Sequence, residues 1–206
     1  MYTPRAFALD DLPEIQQLIQ HTRLAQLVTF GEQGLQASHL PLLLNPDEGP
    51  NGTLYGHMAK ANRQWQDLQN GGEALVIFAG AEAYVSPSFY PAKAEHGKVV
   101  PTWNYIAVHA YGTGEVFTDA ERLLELVSAL TDRHEGNRAQ PWKVSDVPAD
   151  YIDGMLKAIV GFALLIQRLE GKRKLSQNRS AADMAGVRDG LAASTDVRDQ
   201  TLARFI

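Results

Sequence analysis

The segment GFALLIQRLEGKRKLSQNR, at residues 161–179, changes from an apolar run into a cluster of positive charge. The cluster contains the cations Lys172, Arg173, Lys174 and Arg179 and the neutral polar residues Ser176, Gln177 and Asn178. Cations beside neutral hydrogen-bonding groups suit the oxygen atoms of a phosphate group. A solvated basic turn leading into a helix accounts for the same residues without a ligand. The residues alone therefore leave both an anion site and an exposed turn open.

A second candidate anion site lies in the segment GHMAKANRQW, at residues 56–65. A strand ending at Ala59 and a helix beginning near Asn62 would bring Lys60, Asn62 and the first helical amides to a phosphate group. Alternatively, Lys60 is a solvated turn residue and Asn62 caps the helix. Both interpretations stay open at this point.

The segment VPTWNYIAVHAYG, at residues 100–112, carries the densest group of aromatic side chains. Strand alternation places Trp103, Tyr105, Ala107, His109 and Tyr111 on one face and Asn104, Ile106, Val108 and Ala110 on the other. A planar ring could lie against the aromatic face, with Asn104 or His109 at its polar edge. A core-lining aromatic ladder is the alternative. We favour Trp103 and Asn104 over His109 as ring contacts, and the pattern does not tell which face points inward.

The loop AYVSPSFYP, at residues 83–91, supplies further candidates. Pro87 fixes an extended turn between Ser86 and Ser88, whose hydroxyls could line the mouth of a pocket. A rigid loop with Tyr90 packed inward explains the pattern equally well. We expect the polar segment that follows, PAKAEHGKV, to be a mobile loop that could cover a site.

Composition excludes several kinds of site. The 206 residues include no cysteine, which excludes disulfides, thiolate nucleophiles and cysteine-bound metals. Six histidines lack the spacing of metal ligands, so we expect no metal site. The net charge of −5 argues against a globally basic DNA-binding surface, although a local basic cluster can still contact DNA. No apolar run approaches the ~20 residues of a membrane helix and no signal pattern opens the chain, which leads us to expect a cytoplasmic protein without membrane contact.

The hydrophobic pattern predicts one mainly β domain over residues 1–206, with a helical extension from about 180. Predicted strands cover residues 24–30, 35–44, 53–59, 73–79, 83–85, 105–117 and 160–169. Predicted helices cover residues 62–70 and 149–157, and others open near Asp10, Thr118 and Ser180. We expect the last eleven residues to dock on the protein rather than to form a partner-facing arm.

Six segments, in order along the chain, resemble the PaiB family, which is described as FMN-binding negative transcriptional regulators. They are MYTPRAF (1–7), SHLPLLL (38–44), GHMAKANRQW (56–65), AYVSPSFY (83–90), VPTWNYIAVHAYG (100–112) and GKRKLSQNR (171–179). The resemblance implies an α+β, mainly β fold, a split β-barrel of the pyridoxamine-phosphate-oxidase type with additional peripheral helices. It also implies FMN bound near a homodimer interface.

The resemblance implies that the candidate residues contact the FMN cofactor. In the related oxidases the strand-to-helix junction holds the FMN phosphate, which favours His57, Lys60 and Asn62. Further expected phosphate-side contacts are Lys172, Lys174, Ser176, Gln177, Asn178 and Arg179. Expected ring-side contacts are Trp103 and Asn104, then His109, with Ser86, Ser88 and Tyr90 as candidates of second rank.

Three functions stay open on the sequence. The first is a flavin reductase or other FMN-dependent oxidoreductase, reduced by NAD(P)H and needing no acid–base residue of its own. The second is a negative transcriptional regulator that binds DNA directly or senses flavin. The third is a dimeric scaffold without cofactor. No helix-turn-helix is identifiable, since the helix that opens at Ser180 offers only Arg188 as a base-reading residue.

Overall fold

The computed structural model describes all 206 residues and is built from eight strands and seven helices. The strands are β1 (Ala8–Leu9), β2 (Ala25–Gly31), β3 (Gly34–Leu40), β4 (Leu43–Asn45), β5 (Thr53–Ala59), β6 (Glu73–Val85), β7 (Thr102–Phe117) and β8 (Ile159–Lys174). The helices are α1 (Leu12–His21), α2 (Trp65–Gln69), α3 (Ala92–His96), α4 (Ala120–Glu135), α5 (Ala149–Lys157), α6 (Ala181–Ala192) and α7 (Val197–Ala203). None of the helices is long and apolar enough to cross a membrane.

The strands hydrogen-bond in the order β3-β2-β6-β7-β8-β5-β4, and β1 pairs with β8. The predicted hairpin is confirmed: β2 and β3 pair antiparallel, with Gly31 opposite Gly34. The prediction of one strand over residues 35–44 is wrong, since β3 ends at Leu40 and the separate strand β4 pairs with β5. β5 has the predicted bounds and runs antiparallel to the first half of β8, with Tyr55 opposite Ala163. Alternating apolar residues and a short glycine turn therefore determine this part of the sheet.

The chain forms two compact units. The terminal unit contains Met1–Asp11, Ala79–Val108 and Glu170–Ile206, and the central unit contains Leu12–Phe78 and His109–Leu169. Within the central unit, Phe117, Leu123, Leu126 and Leu156 belong to one buried cluster. Within the terminal unit, α6 packs on α7, and Gly186 and Gly190 leave room for Phe89. The last residues thus dock through α7, as expected, and the prediction of one domain over the whole chain stays a prediction.

Three strands are longer than predicted, and one of them, β7, begins at Thr102 instead of residue 105. The expected pair at residues 73–79 and 83–85 is the single strand β6, because Gly80 has no second turn-forming residue beside it. Its buried positions change from even to odd numbers between Phe78 and Ala83. A side chain at Gly80 would meet the carbonyl oxygen of Ile106 at 3.0 Å, so the glycine permits close approach of β7. β8 continues to Lys174 instead of ending at residue 169.

Two helices begin later than predicted. α2 starts at Trp65 rather than near Asn62, because the Asn62 side chain accepts a hydrogen bond from the Gln64 amide at 3.1 Å and forms a turn. Asp119, not Thr118, caps α4 by accepting from the Arg122 amide at 2.9 Å. The buried side of α4 carries Leu123, Leu126 and Leu130, and Leu124 is exposed.

The expected mobile loop at residues 91–99 contains the short helix α3. Gly97 ends this helix in the left-handed conformation, at φ 66°, which glycine adopts without strain. The predictions of α5 at Ala149–Lys157 and of a Ser180 cap on α6 are confirmed, since the Ser180 hydroxyl accepts from the Asp183 amide at 3.1 Å.

Candidate functional site

The second half of β8 brings Lys172, Arg173 and Lys174 into the terminal unit as strand, and residues 176–179, with Arg179, follow it in a turn. β1 pairs with this half, placing Ala8 opposite Lys172 and Leu9 opposite Gly171. The side chains of Lys172, Arg173 and Lys174 therefore alternate between the two faces of an ordered strand instead of lying in a solvated loop. Side chains on such a backbone are better positioned for a ligand than those of a mobile turn.

Lys172 is a buried cation, with only 6% of its surface exposed. Its ammonium group donates to the Tyr2 carbonyl oxygen at 3.0 Å and lies 4.9 Å from the centre of the Tyr105 ring. Lysine is seldom buried without a charged partner. A carbonyl and an aromatic face hold this lysine in place without neutralising it.

Lys174 lies in the same unit and is held in a similar way. Its ammonium group donates to the Thr102 hydroxyl and to the Trp103 carbonyl oxygen, the latter at 2.6 Å. Burial lowers the pKa of Lys174, and repulsion by Lys172 and Arg179 lowers it further, while Tyr105 acts in the opposite direction. Lys172 and Arg179 thus both lie near enough to Lys174 to repel its charge, and the contacts of the three cations go to carbonyl, hydroxyl and aromatic groups rather than to a carboxylate.

A buried polar pair supports this cluster. The Asn104 amide donates to the Ser176 hydroxyl at 3.0 Å, and both residues are buried. Ser176 is the only non-glycine residue with a positive φ, at 66°. That left-handed conformation costs a serine on the order of 1 kcal/mol, and such strain is concentrated at functional sites. The Asn104 bond fixes the turn that carries Arg179.

The other predicted residues of the terminal unit take different positions. The Gln177 side chain bonds to the backbone of Leu175 and Arg173, so it stabilises the turn, and Asn178 is exposed. Arg179 lies 5.1 Å from the ring of the buried Tyr90, whose hydroxyl has no partner.

Ser86 and Ser88, in the loop after β6, bond mainly to each other. The hydroxyls of Ser86 and Ser88 lie 2.7 Å apart, and Ser86 also accepts from the Ser88 amide. This arrangement agrees with the rigid-loop alternative.

β7 turns its aliphatic face inward. Asn104, Ile106 and Val108 are buried, whereas Trp103 is 53% exposed and contacts Tyr84 edge to face at 5.9 Å. In the central unit, His109 is half-buried and its Nδ1 lies 3.4 Å from the Tyr111 hydroxyl. Of the ring-side candidates, Asn104 therefore stabilises the turn at Ser176, while Trp103 offers an exposed aromatic surface.

A cavity of about 500 Å³ adjoins Tyr105 within the terminal unit. Small residues on β6 and β7, together with Ile106 and Tyr105, line one side of it: Ala79, Gly80, Ala81 and Ala107. Small lining residues leave room for a ligand. Val197 and Thr201 of α7 form one wall, and Glu82 and Arg198 add charges.

The Lys60 region belongs to the central unit. Lys60 is exposed at the rim of a cavity of about 280 Å³, which Asp153 and Lys157 also line. The Asn62 amide donates to the Ser38 hydroxyl at 2.9 Å, a contact between two of the family-like segments. Because α2 has only five residues and begins at Trp65, the expected helix amides are not next to Lys60.

His57 lies on β5 of the same unit. Its Nδ1 is shielded from solvent and has no hydrogen-bond partner, and burial lowers its pKa below the usual 6.5. A neutral imidazole carries no charge for a phosphate group. His57 as a phosphate contact stays a prediction that this environment does not favour.

Tyr2, Tyr105 and Ser38 were not among the predicted site residues. Tyr105 had a usable signal, since it stands in the aromatic alternation beside Trp103. Tyr2 and Ser38 lie inside family-like segments but carry no spacing that indicates their partners.

Comparison with known proteins defines the class to which this fold and site belong. A family model described as "Putative FMN-binding domain" matches residues 1–168. The chain belongs to this FMN-binding family, and the predictions of FMN as cofactor and of a mainly β, split-barrel fold are confirmed. The basic cluster, α6 and α7 follow the matched residues.

Particular relatives agree with the family resemblance. The "Protease synthase and sporulation protein PAI 2" of Bacillus subtilis is 32% identical over 206 residues, covering 100% of this chain and 96% of that protein. An uncharacterized protein of Aspergillus fumigatus is 35% identical, with coverage of 92% and 90%. The resemblance to the PaiB family is thus confirmed.

Solved structures share the fold at low sequence identity. The FAD and heme binding protein of Mycobacterium smegmatis has a TM-score of 0.61 at 17% identity, over 86% of this chain and 78% of that one. The flavocytochrome Anf3 of Azotobacter vinelandii also has a TM-score of 0.61, at 15% identity over 89% and 78%.

Proposed function

We propose that this protein is an FMN-dependent oxidoreductase whose basic cluster, Lys172, Lys174 and Arg179, binds the flavin phosphate. One observation carries the proposal: three cations lie together in the terminal unit and contact only neutral groups. A phosphate group would relieve their mutual repulsion and accept charge-assisted hydrogen bonds. The family membership supplies the identity of the anion.

The cavity beside Tyr105 fits the flavin ring in this proposal. Its small lining residues on β6 and β7 leave room for a planar aromatic system, and its volume of about 500 Å³ is within the usual range of ligand pockets. Tyr105 adjoins both the cavity and the Lys172 ammonium group, so one ligand could extend from ring to phosphate inside the terminal unit. The protein's residues would bind and orient the cofactor and keep water from its ring.

Bound FMN supplies electron and hydride transfer, and NAD(P)H is the proposed donor. This chain then needs only to hold the phosphate with Lys172 and Lys174 and to leave the ring accessible to the donor. We further propose a homodimer, for which the exposed Trp103 and Tyr84 pair offers apolar surface.

The test is a titration of the purified protein with FMN, followed by addition of NADH or NADPH under exclusion of oxygen. We expect saturable binding of one FMN per chain and bleaching of the flavin spectrum by the nicotinamide. Binding without bleaching would contradict the reductase proposal and leave FMN binding intact. Failure to bind FMN would contradict both.

Transcriptional regulation is the second candidate. The name of the 32% identical Bacillus subtilis relative, which refers to protease synthesis and sporulation, favours it. Against direct DNA binding, Arg188 of α6 forms an ion pair with the neighbouring Asp189 at 2.9 Å. DNA binding that weakens steeply with salt would support this candidate. Unchanged DNA mobility at low salt would oppose it.

A further inference from the structure

Asparagine is followed by glycine at two places in the central unit, Asn51 with Gly52 and Asn70 with Gly71, and the proposed flavin site uses neither pair. Asparagine loses its side-chain amide most readily before glycine, because glycine has no side chain to shield its backbone nitrogen. That nitrogen can attack the side-chain carbonyl carbon of the asparagine. Both pairs are therefore candidate sites of spontaneous deamidation, and their surroundings determine which one reacts.

The first pair is bonded to β8. The Asn51 side-chain amide donates to the Ile166 carbonyl oxygen at 3.1 Å, and the Gly52 carbonyl oxygen accepts from the Ile166 amide at 3.1 Å. Both Gly52 and Ile166 are buried. A side chain bonded in this way cannot turn toward the next backbone nitrogen unless the loop leaves the sheet.

The second pair lies at the exposed end of α2. Asn70 and Gly71 are both exposed, and the Asn70 side chain forms no hydrogen bond. Gly71 has a φ of 76°, and no atom lies within 4 Å of the place that a side chain would occupy there. The Asn70 side chain is therefore free to turn toward the Gly71 nitrogen.

Two backbone bonds close the C-terminus of α2 and oppose the reaction. The Gly71 amide donates to the Leu68 carbonyl oxygen at 3.0 Å, and the Gly72 amide donates to the Asp67 carbonyl oxygen at 3.4 Å. This arrangement is common where a helix ends in a left-handed glycine. Because α2 has only five residues, its last turn opens at a low cost in free energy. Each opening frees the Gly71 nitrogen for attack.

We propose that Asn70 is a deamidation site and that Asn51 is protected by its bond to β8. The Gly71 nitrogen forms a bond to the side-chain carbonyl carbon of Asn70 and gives its proton to solvent. The bond from that carbon to the amide nitrogen breaks, and the nitrogen takes up a proton and leaves as ammonia. Water then opens the resulting succinimide ring at either carbonyl carbon, which gives aspartate or isoaspartate. The sum is one water consumed and one ammonia released.

Either product disturbs the end of α2. A carboxylate at residue 70 lies at the helix C-terminus, where negative charge is unfavourable, and three residues after Asp67. Isoaspartate also adds a methylene group to the backbone, which displaces the Gly71 and Gly72 amides from their acceptors. Since Asp67 accepts from the Thr29 hydroxyl at 2.6 Å, loosening of α2 should also weaken this contact with β2.

The test is prolonged incubation of the full chain in neutral buffer, followed by peptide mapping with mass spectrometry. Deamidation raises the mass of a peptide by about 1 Da. An isoaspartate-specific methyltransferase labels the rearranged product. We expect Asn70 to react about tenfold faster than Asn51 or more, because protection depends on the free energy of local opening. Equal rates, or a faster reaction at Asn51, would overturn the proposal.

Two controls establish whether the fold is responsible. In concentrated urea both pairs should react at similar rates, and a preference for Asn70 that persists there would refute the structural explanation. Asn70→Gln should abolish the fast reaction, since glutamine must close a larger ring.

Hydrogen exchange tests the effect on α2. In the modified protein, separated by ion exchange, the Gly71 and Gly72 amides should exchange faster than in the unmodified protein, with those of α5 unchanged. Unchanged exchange at Gly71 and Gly72 would contradict the loosening of α2.

Discussion

The basic cluster of the terminal unit and the Lys60 turn of the central unit offer the same chemistry in opposite environments. Lys172 and Lys174 are held by carbonyl oxygens and lie beside further positive charge. Lys60 is exposed, and Asp153 lines the same small cavity. The sequence presents both as cations near neutral polar residues, and only the structure distinguishes them.

This difference indicates at which of the two places an anion would bind more tightly. In the cluster, the folded protein already holds the cations close together. A phosphate group would therefore bind to preorganised hydrogen-bond donors. At Lys60, water screens the charge and the flexible side chain loses entropy when it binds. We therefore expect the cluster to contribute more to flavin affinity.

The largest effect is expected for Lys174→Met. Loss of one charge-assisted bond should weaken FMN binding by about 1.5–3 kcal/mol, roughly 10- to 150-fold in the dissociation constant. Flavin fluorescence titration measures it. The matched Lys60→Met variant should cost no more than about 1 kcal/mol, because that side chain is exposed. A larger loss for Lys60→Met than for Lys174→Met would reverse the comparison.

A second pair compares the asparagines of the two regions. Asn104 is fully buried and bonded to Ser176, so Asn104→Ala should lower the free energy of unfolding by about 1–3 kcal/mol. Asn62 is half-buried, and Asn62→Ala should cost about 0.5–1.5 kcal/mol through its Ser38 bond. Urea unfolding measures both. A smaller loss for Asn104→Ala than for Asn62→Ala would show that the turn at Ser176 does not depend on Asn104.

The fold was largely predictable where local pattern decides. The hairpin of β2 and β3, β5 and α5 follow from alternation, glycine turns and amphipathic spacing. The end of β8 was not predictable, because charged residues indicate a turn. Pairing of Lys172 with Ala8 of β1 overrides that local tendency, and no local pattern encodes a partner so distant in sequence.

The residue types of the candidate site could be read from the sequence, but the contacts among them could not. The basic segment and Asn104 were identified from charge and alternation. The bond between Asn104 and Ser176, 72 positions apart, and that between Lys172 and Tyr2, 170 positions apart, require the folded sheet. The turn of Asn62 shows the same limit, since one side-chain bond shortens the expected helix.

The smallest predicted effect is on the pH dependence of stability, which should involve His57 of the central unit but not Lys174 of the terminal unit. Folding lowers the pKa of His57 below its usual 6.5, so the unfolded chain binds this proton first as the pH falls. Between 6.5 and the lower folded pKa the unfolded state binds more protons, and the free energy of unfolding should decrease with falling pH. Urea unfolding at stepped pH measures this slope. His57→Gln should reduce it, and Lys174→Met should not, since lysine stays protonated in that range.

The most direct measurement compares the affinities for FMN and riboflavin, which differ only by the phosphate group, in the unmodified protein, Lys174→Met and Lys60→Met. The proposed site predicts that the unmodified protein prefers FMN roughly 10- to 150-fold, that Lys174→Met loses most of this preference, and that Lys60→Met retains it. An unchanged preference in Lys174→Met, together with its loss in Lys60→Met, would contradict the assignment and place the phosphate at the central turn.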